Sequence, residues 1–290
     1  MVYINPDTIP IPQSRLDALK QMTQALCSAP KNKRPKLIKD GRNDSWAHDE
    51  VVEALRHMVG NKCWYSEVHL DHNDPDVDHF RPKGSIREIE PSTREHCGRC
   101  EGYWWLAFEP RNFRLAAVHA NRRRVFVNTN GGKWDYFPVI GDRAKPGTPW
   151  KRITEEYLPL DPCRKSDVLL LWFDADGVAG VAKEKKLSDK EKLRVDISIW
   201  LYHLDEENTQ KRRGEVIRGV LADLDDANDE FKDWDHEGAC NEEARKRFDD
   251  KIALLEKALN PKSLFAGAVG RVVRTRSAHY PWILDYLTLP

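Results

Sequence analysis

No charge of either sign predominates in this chain: Lys and Arg together number 47, and so do Asp and Glu. Net charge therefore cannot draw it to nucleic acid or to an anionic surface, and any such attraction has to come from a local patch. Long apolar runs are missing as well. None reaches the roughly 20 residues that a helix needs to cross a bilayer. The opening MVYINPDTIPIPQSR lacks the apolar centre of a signal peptide. The expectation is a cytoplasmic protein whose six cysteines are reduced. Cys27, Cys63, Cys163 and Cys240 are scattered, and only Cys97 and Cys100, in CGRC, have the spacing of a metal-binding pair. No segment repeats. What is present is 290 residues, 40% hydrophobic and 32% charged, enough for one large or two modest domains under a well-hydrated surface.

Periodicity divides the chain into four parts. Residues 1–60 form an N-terminal helical segment: Leu16, Leu19, Met22 and Leu26 predict a helix over 13–27, and Val51, Val52, Leu55, Met58 and Val59 a second one that Gly60 ends. APKNKRPKLIKDGRND between them reads as a polar connector. Residues 61–140 change texture, with short runs, dense aromatics and frequent Gly, Pro and Asn, and are expected to form a small mixed unit. Residues 141–187 hold a Pro-rich connector and, in SDVLLLWFDADGVAGVA, a β-hairpin turning at Asp174-Ala175-Asp176-Gly177. Residues 188–290 read as helices, opened by a Ser/Asp cap and continuing near 208–234, 241–259 and 263–288. The fold class expected is α+β.

The chemistry concentrates in HLDHNDPDVDHFRPKG, residues 69–84. An EF-hand is excluded: counted from Asp74, the sixth place is His79 and not the Gly of the sharp turn, and the twelfth is Ser85 and not an acid. The stretch holds two Asp-His pairs. Asp71-His72 runs into Asn-Asp-Pro, a turn with no apolar clamp. Asp78-His79 is flanked by Val77 and Phe80, so it reads as the end of a strand that Pro82 stops, and it is the pair expected to act. Downstream, Asn112 begins a short apolar strand, and Asn121 begins an Arg-rich segment read as a helix. Strand, strand and helix in that order can gather Asp78, His79, Asn112 and Asn121 at one metal. Asp78 and Asn121 are oxygen donors suited to a hard cation such as Mg²⁺, or Mn²⁺. His79, left unligated, can take a proton from a water. Asn112 can hold the imidazole or the local backbone in place. Such a metal stabilises charge during phosphodiester hydrolysis.

VDHFRPKG, then YWWLAFEPRNFRLAAVHAN, then KWDYFPV resemble the HNH endonucleases, and within them the HNH subunits of Septu-type and retron-associated anti-phage defence (PtuB-like). The likeness continues more weakly through LPLDPCRKSD and ISIWLYHLD, covering about residues 62–212. It implies a ββα-metal nuclease core over 61–140, with His79 as general base, Asp78 and Asn121 as metal ligands and Asn112 as the middle residue of the motif. It also implies DNA cleavage to 5′-phosphate and 3′-hydroxyl ends, an anti-phage role and a Septu-type (PtuA-like) ATPase partner. Family members hold this core with two CxxC pairs around a structural Zn²⁺. Here those places read CWYS, Cys63 to Ser66, and AVHA, Ala117 to Ala120. Either these residues pack in place of the metal, or Cys97 and Cys100 supply a relocated zinc site.

From Asn112 to Trp134 the chain has no Asp or Glu. Arg81, Lys83, Arg114, Arg122, Arg123 and Arg124 are the expected DNA contacts, gripping phosphates without reading bases. Trp104 and Trp105 are expected in the core. Two rival readings stand beside the nuclease: a non-catalytic adaptor that binds nucleic acid or the ATPase, and an RNA-directed toxin with the same metal centre.

Overall fold

The computed structural model describes residues 1–70, 76–125, 130–183, 186–235 and 241–289. None of the described helices is long and apolar enough to cross a membrane. Helix α1 (Gln13–Ser28) buries Leu19 and Leu26. Helix α2 (Arg34–Asp40) lies inside the stretch expected to be a connector. Pro35 stands in its first turn, where a missing N–H breaks no helical bond. Helix α3 (Asp49–Val59) lays Val51, Ala54, Leu55 and Val59 in one buried stripe. The His48 ring accepts from the Glu50 N–H at its start, and Gly60 leaves it at φ +74°.

Strand β1 (Asp76–His79) carries the second Asp-His pair, as expected. A hairpin, β2 (Ile86–Ile89) with β3 (His96–Cys100), follows, and Cys97 is the extra residue of a bulge in it. Strand β4 (Phe113–Ala116) returns antiparallel to β1, setting Asp78 opposite Arg114 and His79 opposite Phe113. Helix α4 (Val118–Asn121) comes directly after β4, so the order strand, strand, helix is present. One expectation fails here. The Arg-rich segment is not a helix begun by Asn121; α4 ends at Asn121, and Arg122 is extended at φ −105°, ψ 142°. Asp76 grips the Arg122 guanidinium from β1, and the Arg-Val sequence that follows favours strand. It forms β5 (Arg124–Val125), paired with β6 (Asn130–Gly131).

Strand β7 (Val139–Ile140) pairs with β8 (Glu156–Tyr157), and α5 (Lys165–Val168) leads into the expected hairpin of β9 (Leu171–Phe173) and β10 (Ala179–Val181). The Asp174 carboxylate closes its turn by accepting from the N–H groups of Asp176 and Val178. Helix α6 (Asp189–Leu201) opens with a reciprocal Ser188–Glu191 capping box. Helices α7 (Glu207–Asp235), α8 (Glu242–Leu259), α9 (Ala266–Arg276) and α10 (Ile283–Tyr286) complete the chain. The expected helix over 263–288 is thus two, with Pro281 in the interruption.

The architecture is mixed α+β, with its described strands in separate two-stranded ladders. The larger apolar core draws residues from each of the four segments read in the sequence. A smaller one lies among α7 to α10, around Leu224, Phe248, Val273 and Ile283. Lys62 donates to the carbonyls of Pro261 and Ser263, and Glu67 accepts from the Gly267 N–H at 2.9 Å. These bonds fasten the loop ahead of β1 to the start of α9.

Candidate active site

His79 is 3% exposed at the end of β1. Its Nε2 lies 2.9 Å from the Ala107 carbonyl oxygen. A carbonyl only accepts, so Nε2 carries the hydrogen and Nδ1 keeps a lone pair. That nitrogen stands 3.1 Å from Lys83 Nζ. Trp46 and Phe113 pack edge-on to the ring, with centroids at 4.8 and 5.3 Å. Burial, reinforced by the Lys83 charge, pushes the imidazole well below its ordinary value, so the ring is neutral at pH 7. Burial also pulls the Lys83 ammonium down to about 8.

Of the two roles open to Asn112, it takes the backbone one. Fully buried, it accepts from the Arg81 N–H at 2.8 Å and donates to the carbonyls of Arg81 (2.9 Å) and Leu106 (3.2 Å). One amide thereby ties the chain leaving His79 to the turn whose next carbonyl, that of Ala107, orients the imidazole.

Asp78 is held on both oxygens. Oδ1 accepts from Lys133 Nζ at 2.8 Å and Oδ2 from the Tyr65 hydroxyl at 2.6 Å. Tyr65 is stacked on Tyr202 at the end of α6, with centroids 4.0 Å apart. Burial, then the Asp78 charge, raise the Tyr65 phenol well above its usual range, so it stays a donor. Asn121 Nδ2 meets Asp76 Oδ2 at 3.1 Å, and Arg122 forks onto both Asp76 oxygens at 3.0 Å. Sequence reasoning did not assign Asp76 a role. The signal was available, because residues i and i+2 of a strand share a face, which sets Asp76 beside Asp78. Lys133 and Tyr65 carried no such signal; only the fold brings them to Asp78.

Asp76, Asp78, His79, Lys83, Asn121 and Arg122 line a cleft of about 640 Å³, together with Arg42, Arg56 and Trp46. A second trough of about 630 Å³ adjoins it across Lys83-Gly84-Ser85 and is bordered by Lys31, Arg34 and Arg99. The Arg34 guanidinium lies 3.7 Å above the Trp104 ring there. Trp104 and Trp105 are buried, as expected.

Two expected DNA contacts are corrected. Arg81 is buried, donates to Glu155 Oε1 at 2.6 Å and stands among the rings of Trp150, Tyr157 and Phe137. Arg114 is wholly buried and forks onto Asp161 with both bonds at 2.8 Å. Each guanidinium is spent on an internal carboxylate, and neither lines the cleft. Arg122 and Arg123 are exposed. The Arg124 side chain and the pair Asp71-His72 lie outside the described residues.

Trp64, Tyr65, Ala117 and Ala120 are all buried in the larger core, at the places where the resembled family carries its CxxC pairs. Cys97 is exposed, whereas Cys100 donates its thiol to Glu88 Oε1 at 2.8 Å. Burial and that bond push the Cys100 thiol up to about 11, so beside Glu88 it stands as a thiol at pH 7. Among the described residues, no group of three or more His, Cys, Asp or Glu side chains is gathered for a metal. Beside His79 the cleft instead offers the carboxylates of Asp76 and Asp78 and the amide of Asn121. These fit a hard, largely hydrated divalent cation, because all are oxygen donors and each Asp78 oxygen, making one bond, retains a lone pair.

Comparison of the chain with protein-family models gives no match, and comparison with curated proteins gives no significant one.

Proposed function

We propose that this protein is a metal-dependent HNH endonuclease that hydrolyses DNA phosphodiester bonds. The observation that carries this reading is the imidazole of His79, fixed through Nε2 on the Ala107 carbonyl, with its Nδ1 lone pair in a cleft shared with Asp76, Asp78 and Asn121. His79 takes a proton from a water on Nδ1, the water oxygen bonds to phosphorus, and the bond to the leaving sugar oxygen breaks. Asp78 and Asn121, with Asp76 beside them, would hold Mg²⁺ or Mn²⁺. That ion, when bound, stabilises the charge developing on the phosphate and leaving oxygens. Asn112 and the Ala107 carbonyl keep the ring aimed. Lys83 and Arg122 at the cleft, with Arg34 and Arg99 along the adjoining trough, supply the phosphate-gripping charge that the chain's zero net charge does not. The resemblance in VDHFRPKG and the blocks after it supports the finer reading: a defence effector working with a Septu-type (PtuA-like) ATPase, with the helices beyond residue 188 as its docking surface.

Plasmid nicking with Mg²⁺, wild type against His79→Ala, tests the reading. Loss of nicking in the variant is expected; equal activity in both would remove the enzyme. One observation favours a second reading, a binding module without catalysis: the Asp78 carboxylate is already neutralised by the buried Lys133 ammonium. On that reading neither protein nicks, and both bind DNA alike.

A further inference from the structure

Lys83 covers the lone pair of His79. Nε2 of the ring is committed to Ala107, so Nδ1 is the only nitrogen left to act, and Lys83 Nζ stands 3.1 Å from it. An ammonium has donors and no acceptor, so this contact is a charge-assisted bond into the very orbital that a base must offer to water. The lysine is held from the other side as well, 4.5 Å from the centroid of the Trp46 ring.

Its loop has little freedom to carry it away. The Pro82 carbonyl accepts from the Tyr103 N–H at 2.8 Å. The chain at Gly102 passes so close that a Cβ there would lie 1.6 Å from the Gly84 carbonyl oxygen. Only the four-carbon side chain of Lys83 is left to move. Where it can go is defined by the two hollows that meet at Lys83-Gly84-Ser85: the trough bordered by Lys31, Arg34 and Arg99, and the cleft, where Arg42, Arg56 and Arg122 stand among the carboxylates of Asp49, Glu53, Asp76, Asp78 and Asp135. An anionic phosphate entering there offers the ammonium a stronger acceptor than a neutral imidazole.

We propose that Lys83 is a positioning residue that caps His79 Nδ1 in the free protein and transfers its ammonium to the substrate phosphate when DNA enters the cleft, so that the base is uncovered only in the presence of what it is to cut. The proposal rests on His79 being the base of the nuclease proposed above. No covalent bond changes in the transfer; a hydrogen bond to nitrogen is exchanged for one to a phosphate oxygen. It accounts for a half-buried cation beside a base, an arrangement that otherwise only weakens the base. It also ties the grip on the phosphate and the release of the lone pair to the same four carbons.

The test uses the full-length, metal-free protein labelled with ¹⁵N-histidine, with His79→Gln identifying the ring signals. In wild type, Nδ1 is expected at the position of a hydrogen-bonded lone pair, and a short DNA duplex should move it toward the unbonded position. Lys83→Met should hold it at the unbonded position with or without DNA, and Lys83→Arg should restore the capped signal. DNA binding is followed by anisotropy in the same samples. Binding without movement of Nδ1, or identical Nδ1 signals in wild type and Lys83→Met, overturns the cap. Absence of binding overturns the nuclease and the cap with it. With Mg²⁺ present, loss of one charged phosphate contact should raise the KM of Lys83→Met roughly tenfold and leave kcat within about threefold. A collapse of kcat at unchanged KM contradicts the positioning role.

Discussion

Lys133 Nζ lies 2.8 Å from Asp78 Oδ1 and 2.7 Å from the His79 carbonyl oxygen, so one buried ammonium holds the side chain of the first residue of the Asp-His pair and the backbone of the second. Burial lowers the Lys133 pKa, and the Asp78 charge opposes that pull. Lys133→Met leaves the Asp78 carboxylate buried without its cation. Breaking such a pair from one side costs about 3–5 kcal/mol, read as a lower midpoint in urea denaturation. A midpoint unchanged from wild type would mean that the two charges do not meet in solution.

Asp78→Ala should abolish metal-dependent nicking. Because it also strands Lys133, Asp78→Ala with Lys133→Met provides the control: the pair should recover stability relative to Asp78→Ala and remain inactive. Activity returning with stability would move the essential carboxylate elsewhere, with Asp76 the first place to look.

Arg81 and Arg122 should separate cleanly. Arg81→Ala removes a buried cation and leaves Glu155 unpaired, with an expected loss of about 3 kcal/mol or more. Arg122→Ala should change stability by less than about 1 kcal/mol, because its partner Asp76 sits at an open cleft. It should nevertheless lower the slope of log affinity for DNA against log salt by roughly one. Equal salt slopes for wild type and Arg122→Ala would remove Arg122 from the phosphate track.

Asn112→Asp keeps the shape of the side chain and replaces its donor with an acceptor facing the carbonyls of Arg81 and Leu106. Each buried acceptor left without a donor costs about 1–3 kcal/mol. The nicking rate is expected to fall more steeply than stability, because the same bonds aim the Ala107 carbonyl at His79. A thermal melt beside the nicking assay measures both effects, and loss of stability with full activity would refute the aiming role.

The folded-state pKa of His79 is depressed, so its contribution to stability is fully present above the ordinary value of 6.5. It is lost as pH falls from there through the folded value, because the unfolded chain binds a proton that the buried ring refuses. Wild type should therefore lose stability below pH 6.5 more steeply than His79→Gln. The nicking rate should hold through pH 6.5, where an exposed imidazole would be half-protonated. A rate falling by half at that pH would place His79 in water.

The Asp78-His79 strand was legible because Val77 and Phe80 flank it and Pro82 stops it; those are local facts about six residues. Asn112 was legible as a polar residue ahead of an apolar run. Arg81 and Lys83 were not separable. They straddle Pro82 in the same pattern, and what sends one into an aromatic box and leaves the other at the cleft is Glu155, 74 residues beyond Arg81. Arg114 and Asp161 repeat that case. Helix α2 was hidden by lysines that say nothing about backbone, and the break after Arg276 by Trp282, Ile283 and Leu287, apolar residues that continue the helical texture beyond it. Local pattern fixed where the backbone turns; the partners of buried charges were set by distant chain.

The stack of Tyr65 on Tyr202, with planes only 9° apart, has a mechanical consequence. Two rings and one hydroxyl make a rigid strut from the end of α6 to Asp78. Whatever leans on the helical half of the molecule presses on that aspartate without having to reach the cleft.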